Sequence, residues 1–330
     1  RIALPQVVDL GRKGGLRTDA PAATTALTEA ERAAAELDVL AEVTRRFIHV
    51  ASDQEHLALT IRATALADDN VTAATARVAA ARAPDVELRR ARVTRARVGV
   101  EQEHAEHELL TSKRKLAAMW GDTEAHFDRV GADLYALPPS EGYEELVAKL
   151  ASNPDFARFA SEERLRDAEL RVAEAHARTN LTWRAGLRIL SESNDEALVF
   201  GVTMPLNASR RARNEIAVAR AERERTAAER DAHRVRAEAE LFELFQELRH
   251  SVTEAEMLRT SVLPEMEAAL EDTRYAFERG RYSYLEWVDA QRELVDVQRA
   301  LIDASANAHL YRTEIERLTG EPLSSAEDSR

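Results

Sequence analysis

The sequence predicts a mainly α-helical protein with a small β part, organised as long antiparallel coiled-coil helices. Three observations lead there. The 330 residues hold only 11 Gly and 9 Pro, against roughly 23 and 16 for average usage, so long stretches lack any residue that would interrupt a helix. Apolar residues in those stretches recur at steps of three and four. Three short segments instead alternate apolar and polar residues with the period of a strand.

Taken in order, Ile2, Leu4, Val8 and Leu10 form the first alternating segment, ending at Gly11. Gly11-Arg12-Lys13-Gly14-Gly15 lacks the glycine-lysine-serine/threonine order of a phosphate-binding loop and reads as a strand-to-helix corner. From Ala22 to Ala83 there is neither Gly nor Pro. As a helix this run reaches about 90 Å, and Leu37, Leu40, Val43, Phe47 and Val50 mark its seam. A tight break at Ala81–Pro84 precedes a returning helix from Val86 to Trp120. Residues Gly121 to Tyr143, with Pro138 and Pro139, form an irregular connector, and a further helix is expected from about Glu145 to Thr179. Leu181, Trp183, Ala185, Leu187 and Ile189 then line one face of a strand. After the turn-like Ser191–Asp195, Leu198, Phe200, Val202, Met204 and Leu206 line one face of another. A second uninterrupted run extends from Leu206 to Leu263, its seam carried by Leu241, Phe245, Leu248, Val252, Ala255, Leu258 and Val262. Alanine fills much of both seams, which permits close helix approach. The last helix is expected from Tyr284 to Leu318.

A shift of about 199 positions superimposes the two halves, so the chain contains an internal repeat. Ala81-Arg82-Ala83-Pro84 falls on Gly280-Arg281-Tyr282-Ser283, Glu87 on Glu286, Ala91 on Ala290, and Met119-Trp120-Gly121 on Leu318-Thr319-Gly320. The expected organisation is a first repeat over 1–121, a connector over 122–144, a second repeat over 145–320 with its β-hairpin at 180–206, and a tail over 321–330. The second copy has a helix and a strand ahead of its strand–helix–turn–helix unit, which predicts one further helix and strand before Arg1 in the complete repeat.

Composition excludes several function classes. No run approaches the roughly 20 apolar residues of a membrane-spanning helix. Absence of cysteine removes disulfides, thiolate metal sites and thiol nucleophiles. A net charge of −13, with Arg interleaved among Glu and Asp, argues against a nucleic-acid partner. No nucleophile–base arrangement suggests an enzyme, and no cofactor motif is present. The strands have the length of transmembrane β-strands, although a soluble hairpin capping a helical bundle accounts for the same pattern. His104 and His107, three apart among Glu101, Glu103, Glu106 and Glu108, have a spacing compatible with a divalent cation. A solvated acidic helix face is the favoured reading of them, and no metal ligand is expected.

Tyr275 through Gly280, Tyr284-Leu285-Glu286-Trp287-Val288-Asp289-Ala290-Gln291, the closing Leu318-Thr319-Gly320, Pro264 within "SVLPEMEAAL" and "GVTMPL" before a basic helix start together resemble the TolC-type outer membrane factors of tripartite efflux systems. "ESNDEALVFGVTMPL" and "ALPQVVDLGRKGGLR" are most similar to the CzcC-like cation-efflux branch. The resemblance implies a homotrimer in the outer membrane of a Gram-negative bacterium. Each chain would donate four strands to a 12-stranded β-barrel continued by a periplasmic α-helical barrel. It implies a passive exit duct for metal cations or small toxic compounds, working with a periplasmic adaptor (membrane fusion) protein and an inner-membrane RND pump. It further implies that Glu286, Asp289 and Glu87 line the pore gate, that Arg82, Pro84, Gly280, Arg281 and Tyr282 at the tips contact the adaptor, and that Leu181, Trp183, Leu187, Phe200 and Val202 face outer membrane lipid. A type I secretion channel would use the same fold, and a soluble coiled-coil scaffold remains the alternative from another class.

Overall fold

The computed structural model describes residues 2–8, 13–139, 141–178, 181–190, 195–204 and 207–321. Leu10, Gly11, Arg12, the Ser191–Asn194 part of the expected turn and Leu206 lie outside them. The elements, in chain order, are β1 (Ile2–Val8), α1 (Lys13–Ala79), α2 (Asp85–Ala117), α3 (Tyr143–Lys149), α4 (Pro154–His176), β2 (Leu181–Leu190), β3 (Asp195–Thr203), α5 (Ala208–Met257), α6 (Leu263–Glu278) and α7 (Tyr284–Thr319). The uninterrupted runs of the sequence become α1, 67 residues long, and α5, 50 residues long. Helix α1 starts earlier than the Ala22 expected and carries Pro21 within it.

Two differences from the expected elements have visible causes. The helix expected over Glu145–Thr179 is broken into α3 and α4. Asn153 caps α4, its Oδ1 accepting the Asp155 N–H at 2.7 Å, and Pro154 occupies the first helical position, where its missing N–H costs nothing. The second long run is interrupted by a turn of π-helix at Leu258–Val262. Pro264 lies just beyond it, and its ring would clash with the carbonyl four residues back; the widened turn relieves that clash.

The chain forms two compact units. The first comprises 1–36 and 149–239. Its sheet has the order β1-β2-β3, all antiparallel. Its helical part is held by apolar contacts of Phe156 and Phe159 with His233, ring centroids 5.2 and 5.1 Å apart. A ladder of ion pairs runs between α4 and α5: Arg230–Glu163, Arg223–Asp167, Arg220–Glu174 and His176–Glu215. These pairs are largely exposed, so each fixes register more than it stabilises.

The second unit comprises 37–148 and 240–330, and its helices pack through small residues. The connector is largely exposed and anchors to them through a few apolar side chains. Leu134 packs with Ile48, Ala51 and Ala306, while Tyr135 and Leu137 pack on Ala255, Leu301 and Ala304. Its backbone polar groups are satisfied by side chains. Gln54 bonds both the Val130 N–H and C=O, Arg259 donates to the Tyr135 carbonyl, and His309 Nε2 lies 3.1 Å from the Leu134 carbonyl. This contact requires a proton on His309 Nε2, and burial lowers the pKa of the ring more than the neighbouring carbonyl and Asp133 raise it. The native state therefore holds a neutral imidazole where the unfolded chain binds a proton below about pH 6.5. His309 thus contributes stability that is present above that pH and is lost as pH falls through the lower native value. Chemical unfolding should show a smaller drop in midpoint between pH 7 and 5.5 for His309→Gln than for the parent.

Candidate functional site

Three groups of residues carry the expected function: the hairpin tips, the acids just beyond them, and the strand faces. At the tips the two repeats use the same turn. Helix α1 ends with the Ala81 N–H bonded to the Val78 carbonyl and the Arg82 N–H to that of Arg77, both at 2.9 Å. Helix α6 ends identically 199 residues later, with Gly280 bonded to Phe277 and Arg281 to Ala276, both at 2.9 Å. This pattern places the residue after the helix in the left-handed region. Gly280 has φ +71° and Ala81 φ +57°, the one non-glycine residue with positive φ among the described residues. Arg82, Pro84, Gly280, Arg281 and Tyr282 are all exposed there. A Cβ in this conformation costs about 1–2 kcal/mol, so Ala81→Gly should stabilise the tip and Gly280→Val should destabilise it by about that amount. Hydrogen exchange at the flanking helix ends measures both.

The two returning helices begin differently, and this decides what their equivalent acids do. Ser283 caps α7: its Oγ accepts the Glu286 N–H at 3.4 Å, and its own N–H donates to Glu286 Oε2 at 2.6 Å. The Ser283 N–H foremost, and then its hydroxyl, favour the charged carboxylate of Glu286 and hold it below the usual glutamate range. At the matching position α2 has Pro84, which offers no capping side chain. Glu87 turns instead to Arg77, 2.9 Å away, and its side chain is only 11% exposed. Asp289, one turn into α7, is well exposed and lies 3.6 Å from Arg292. It lines a groove of about 610 Å³ between α2 and α7 that also holds Val93, Leu285, Arg97 and Arg299.

Beneath the tip, Phe277 joins all four helices. It is buried with Ala74, Leu88, Ala91 and Tyr284, and Val71, Val78, Trp287 and Val288 pack around them. The rings of Phe277 and Trp287 stack at 4.9 Å and 14°, and the Arg77 guanidinium sits 4.6 Å above Phe277. Phe277 and Gln291 belong to the motifs that carry the family resemblance, but the sequence assigns neither a role, and it gives no signal at all for their partners Arg77 and Asn70, the latter bonded to Gln291 at 2.6 Å between α1 and α7; these roles depend on how the turn brings the helices together.

In the sheet, Trp183 pairs with Val202, Ala185 with Phe200 and Leu187 with Leu198, while Val8 pairs with Leu181 and Gln6 with Trp183. The register therefore sets positions 181, 183, 185 and 187 on the same face as 198, 200 and 202. Thr182, Arg184, Gly186, Gly201 and Thr203 occupy the other. Phe200 is 74% and Val202 69% exposed, with Leu198 and Met204 similarly open. Among the described residues this band of large apolar side chains stands open on one sheet face.

His104 and His107 lie on an exposed face of α2, with His104 Nε2 3.2 Å from Glu108. Among the described residues no three metal-ligating side chains converge on one point, and no helix is long and apolar enough to cross a membrane.

Comparison with known proteins bears on the fold and the family. The chain is 29% identical over 262 residues to the cobalt-zinc-cadmium resistance protein CzcC of Cupriavidus metallidurans, covering 79% of this chain and 63% of that relative. It thus spans under two thirds of the relative's length. The outer membrane protein VceC of Vibrio cholerae superimposes with a TM-score of 0.82 at 18% identity, over 98% of this chain and 79% of VceC. The CmeC outer membrane channel of Campylobacter jejuni does so with a TM-score of 0.78 at 12% identity, over 98% of this chain and 71% of CmeC. At such identities these two show a shared fold. The sequence profile of outer membrane efflux proteins matches residues 146–321, more than half of the chain, and the chain belongs to that family.

Proposed function

We infer that the chain is part of an outer membrane exit channel of a tripartite efflux system. It is a passive duct that acts as a homotrimer with a periplasmic adaptor and an inner-membrane RND pump. The observation that carries this reading is the pairing of two repeated long helical hairpins with a small sheet whose one face exposes Leu198, Phe200, Val202 and Met204. Lipid satisfies that face, and closure with strands from other copies satisfies the sheet edges. Metal cations are the substrate class favoured by the likeness to a cobalt-zinc-cadmium resistance protein.

The tips, with Arg82, Pro84, Gly280, Arg281 and Tyr282, are the adaptor contact in this reading, and the acids beyond them form the gate. The geometry ranks those acids. Asp289, exposed and only 3.6 Å from an equally exposed Arg292, is the acid best placed to project into an axial constriction, whereas Glu286 is occupied in capping α7 and Glu87 is tied to Arg77. Three copies of Asp289 around a narrow axis would focus a negative potential and attract cations. In planar bilayers the full-length trimer should prefer cations and be blocked by multivalent ones. Asp289→Asn should weaken both properties more than Glu286→Gln, which keeps the cap because Gln serves at this position as Glu does. Unchanged selectivity in Asp289→Asn overturns the gate assignment, and a full-length protein that forms no pore overturns the channel reading.

A further inference from the structure

The sheet of the first unit has chemically different ends. Val8 pairs with Leu181, and Thr182 with Thr203, so β1 leaves the sheet, β2 enters it and β3 leaves it at the same end. That end meets the starts of α1 and α5 and the end of α4. Six bases lie there within two helical turns of the strands: Lys13 and Arg17 on α1, Arg178 just after α4, and Arg210, Arg211 and Arg213 on α5. The segments 13–18, 177–178 and 207–214 hold no acid, although the whole chain carries a net charge of −13. Beyond them come Asp19, Glu174 and Glu215, the last two already paired with Arg220 and His176. At the other end β3 begins with Asp195 and Glu196, which pair with Leu190 and Ile189, and Arg188 is the one base there among the described residues.

Strand length sets where these ends fall. The 10 residues of β2, at about 3.3 Å each and a tilt of about 45°, span about 23 Å. The apolar band of an outer membrane barrel is about 25 Å tall, so in the channel reading, on which this inference rests, both strand ends reach an interface. A headgroup layer adds about 5–8 Å on each side, and one helical turn rises about 5 Å. The first turns of α1 and α5 therefore lie within that layer. The basic edge is continuous with the apolar face: Met204, 54% exposed, is four residues from the start of α5. Arg210 and Arg213 are exposed and have no ion-pair partner among the described residues. Positive charge at the start of a helix is disfavoured by the helix dipole, so these bases gain most from an anion supplied from outside the chain.

We propose that the helix-side end of the sheet is a docking surface for anionic phospholipid, with Arg178, Arg210 and Arg213 holding headgroup phosphates at the edge of the apolar band formed by Leu198, Phe200, Val202 and Met204. Arginine suits this position because its stem lies along apolar surface while the guanidinium reaches the headgroups. Charge selects the lipid. A zwitterionic headgroup brings its own ammonium up to the arginines, whereas phosphatidylglycerol brings a net negative charge. Each base near such a surface is worth about five-fold in affinity, and the attraction weakens with salt. The acidic opposite end of the sheet gains nothing from the same lipid, so the surface also sets which way up the chain sits.

Trp183 reports on the lipid at this end. It is the third residue of β2, pairs with Val202 of β3 and is 37% exposed on the apolar face. Its own strand begins just after Arg178, and β3 leads to Arg210 and Arg213. The test uses the full-length protein, its other tryptophans replaced by Phe, in phosphatidylcholine bilayers doped with brominated phosphatidylglycerol or brominated phosphatidylcholine. Quenching of Trp183 should show about a five-fold preference for phosphatidylglycerol. The preference should fall below about two-fold when Arg178, Arg210 and Arg213 are all replaced by Gln, and it should shrink in about 0.5 M NaCl. Arg234→Gln, about 36 Å further along α5, should leave it unchanged. Equal quenching by the two lipids, or a preference that survives the triple substitution, overturns the proposal and leaves the channel reading standing. A preference abolished by inorganic phosphate but not by chloride of matched ionic strength would assign the bases to free phosphate and overturn it equally. If neither lipid quenches Trp183, the apolar face does not meet lipid, and the channel reading falls together with the proposal.

Discussion

Phe200→Arg is expected to disfavour assembly of the full-length protein into the outer membrane by about 2–4 kcal/mol, while Thr203→Arg costs little. The two positions lie three apart on β3 and therefore on opposite faces. Phe200 pairs with Ala185, on the face shared by Trp183 and Val202, and Thr203 pairs with Thr182 on the other. A guanidinium replacing Phe200 would have to leave water for hydrocarbon, whereas at Thr203 it would point toward an aqueous lumen. The measurement is the fraction of heat-resistant trimer in isolated outer membranes. Equal tolerance at both positions would mean that neither face meets lipid, and would favour the scaffold alternative. The 74% exposure of Phe200 makes the comparison clean, because neither substitution opens a cavity within the chain.

What the sequence made legible follows from periodicity. Helices α1 and α5 and the faces of β2 and β3 were readable because a period of three to four, or of two, repeats often enough to outweigh any single residue. The 199-residue shift was readable for the same reason, and it extends to the turn, where Ala81 and Gly280 share a left-handed backbone despite their different side chains. Local chemistry was present but read less fully. Asn153-Pro154 is a cap followed by a first-turn proline, and it divides a segment that periodicity alone joins into one helix. Ser283 and Glu286 likewise form a capping box; the equivalent Pro84 and Glu87 have the same spacing but no capping hydroxyl. Contacts between segments distant in sequence were not legible. The connector has no period, so nothing in it signals that Leu134 is buried, that Tyr135 and Leu137 pack partly buried against the helices, or that Gln54, Arg259 and His309 bond its backbone.

The largest effect on the helical tip is expected from Phe277→Ala, which should cost about 3–5 kcal/mol. Phe277 is 7% exposed and lies where α1, α2, α6 and α7 meet. Its removal deletes the stacked contact with Trp287, the tilted contact with Tyr284 and the surface on which the Arg77 guanidinium rests. Arg77 is also the partner of Glu87, so the substitution loosens the ion pair that ties α1 to the start of α2. The surrounding residues are Ala74, Ala91 and Leu88, two of them too small to collapse into the space, which places the cost toward the upper part of the range. Tyr275, two residues earlier and half exposed, lies under the Arg279 guanidinium, 4.2 Å from its ring centroid, and Tyr275→Ala should cost under about 1 kcal/mol. Hydrogen exchange separates local from global loss: in Phe277→Ala, protection should fall over residues 71–91 and 274–291 and persist over 301–316. A loss spread evenly along α7 would show that the tip and the connector-packed region unfold as one unit, and that the tip has no independent mobility with which to open a gate.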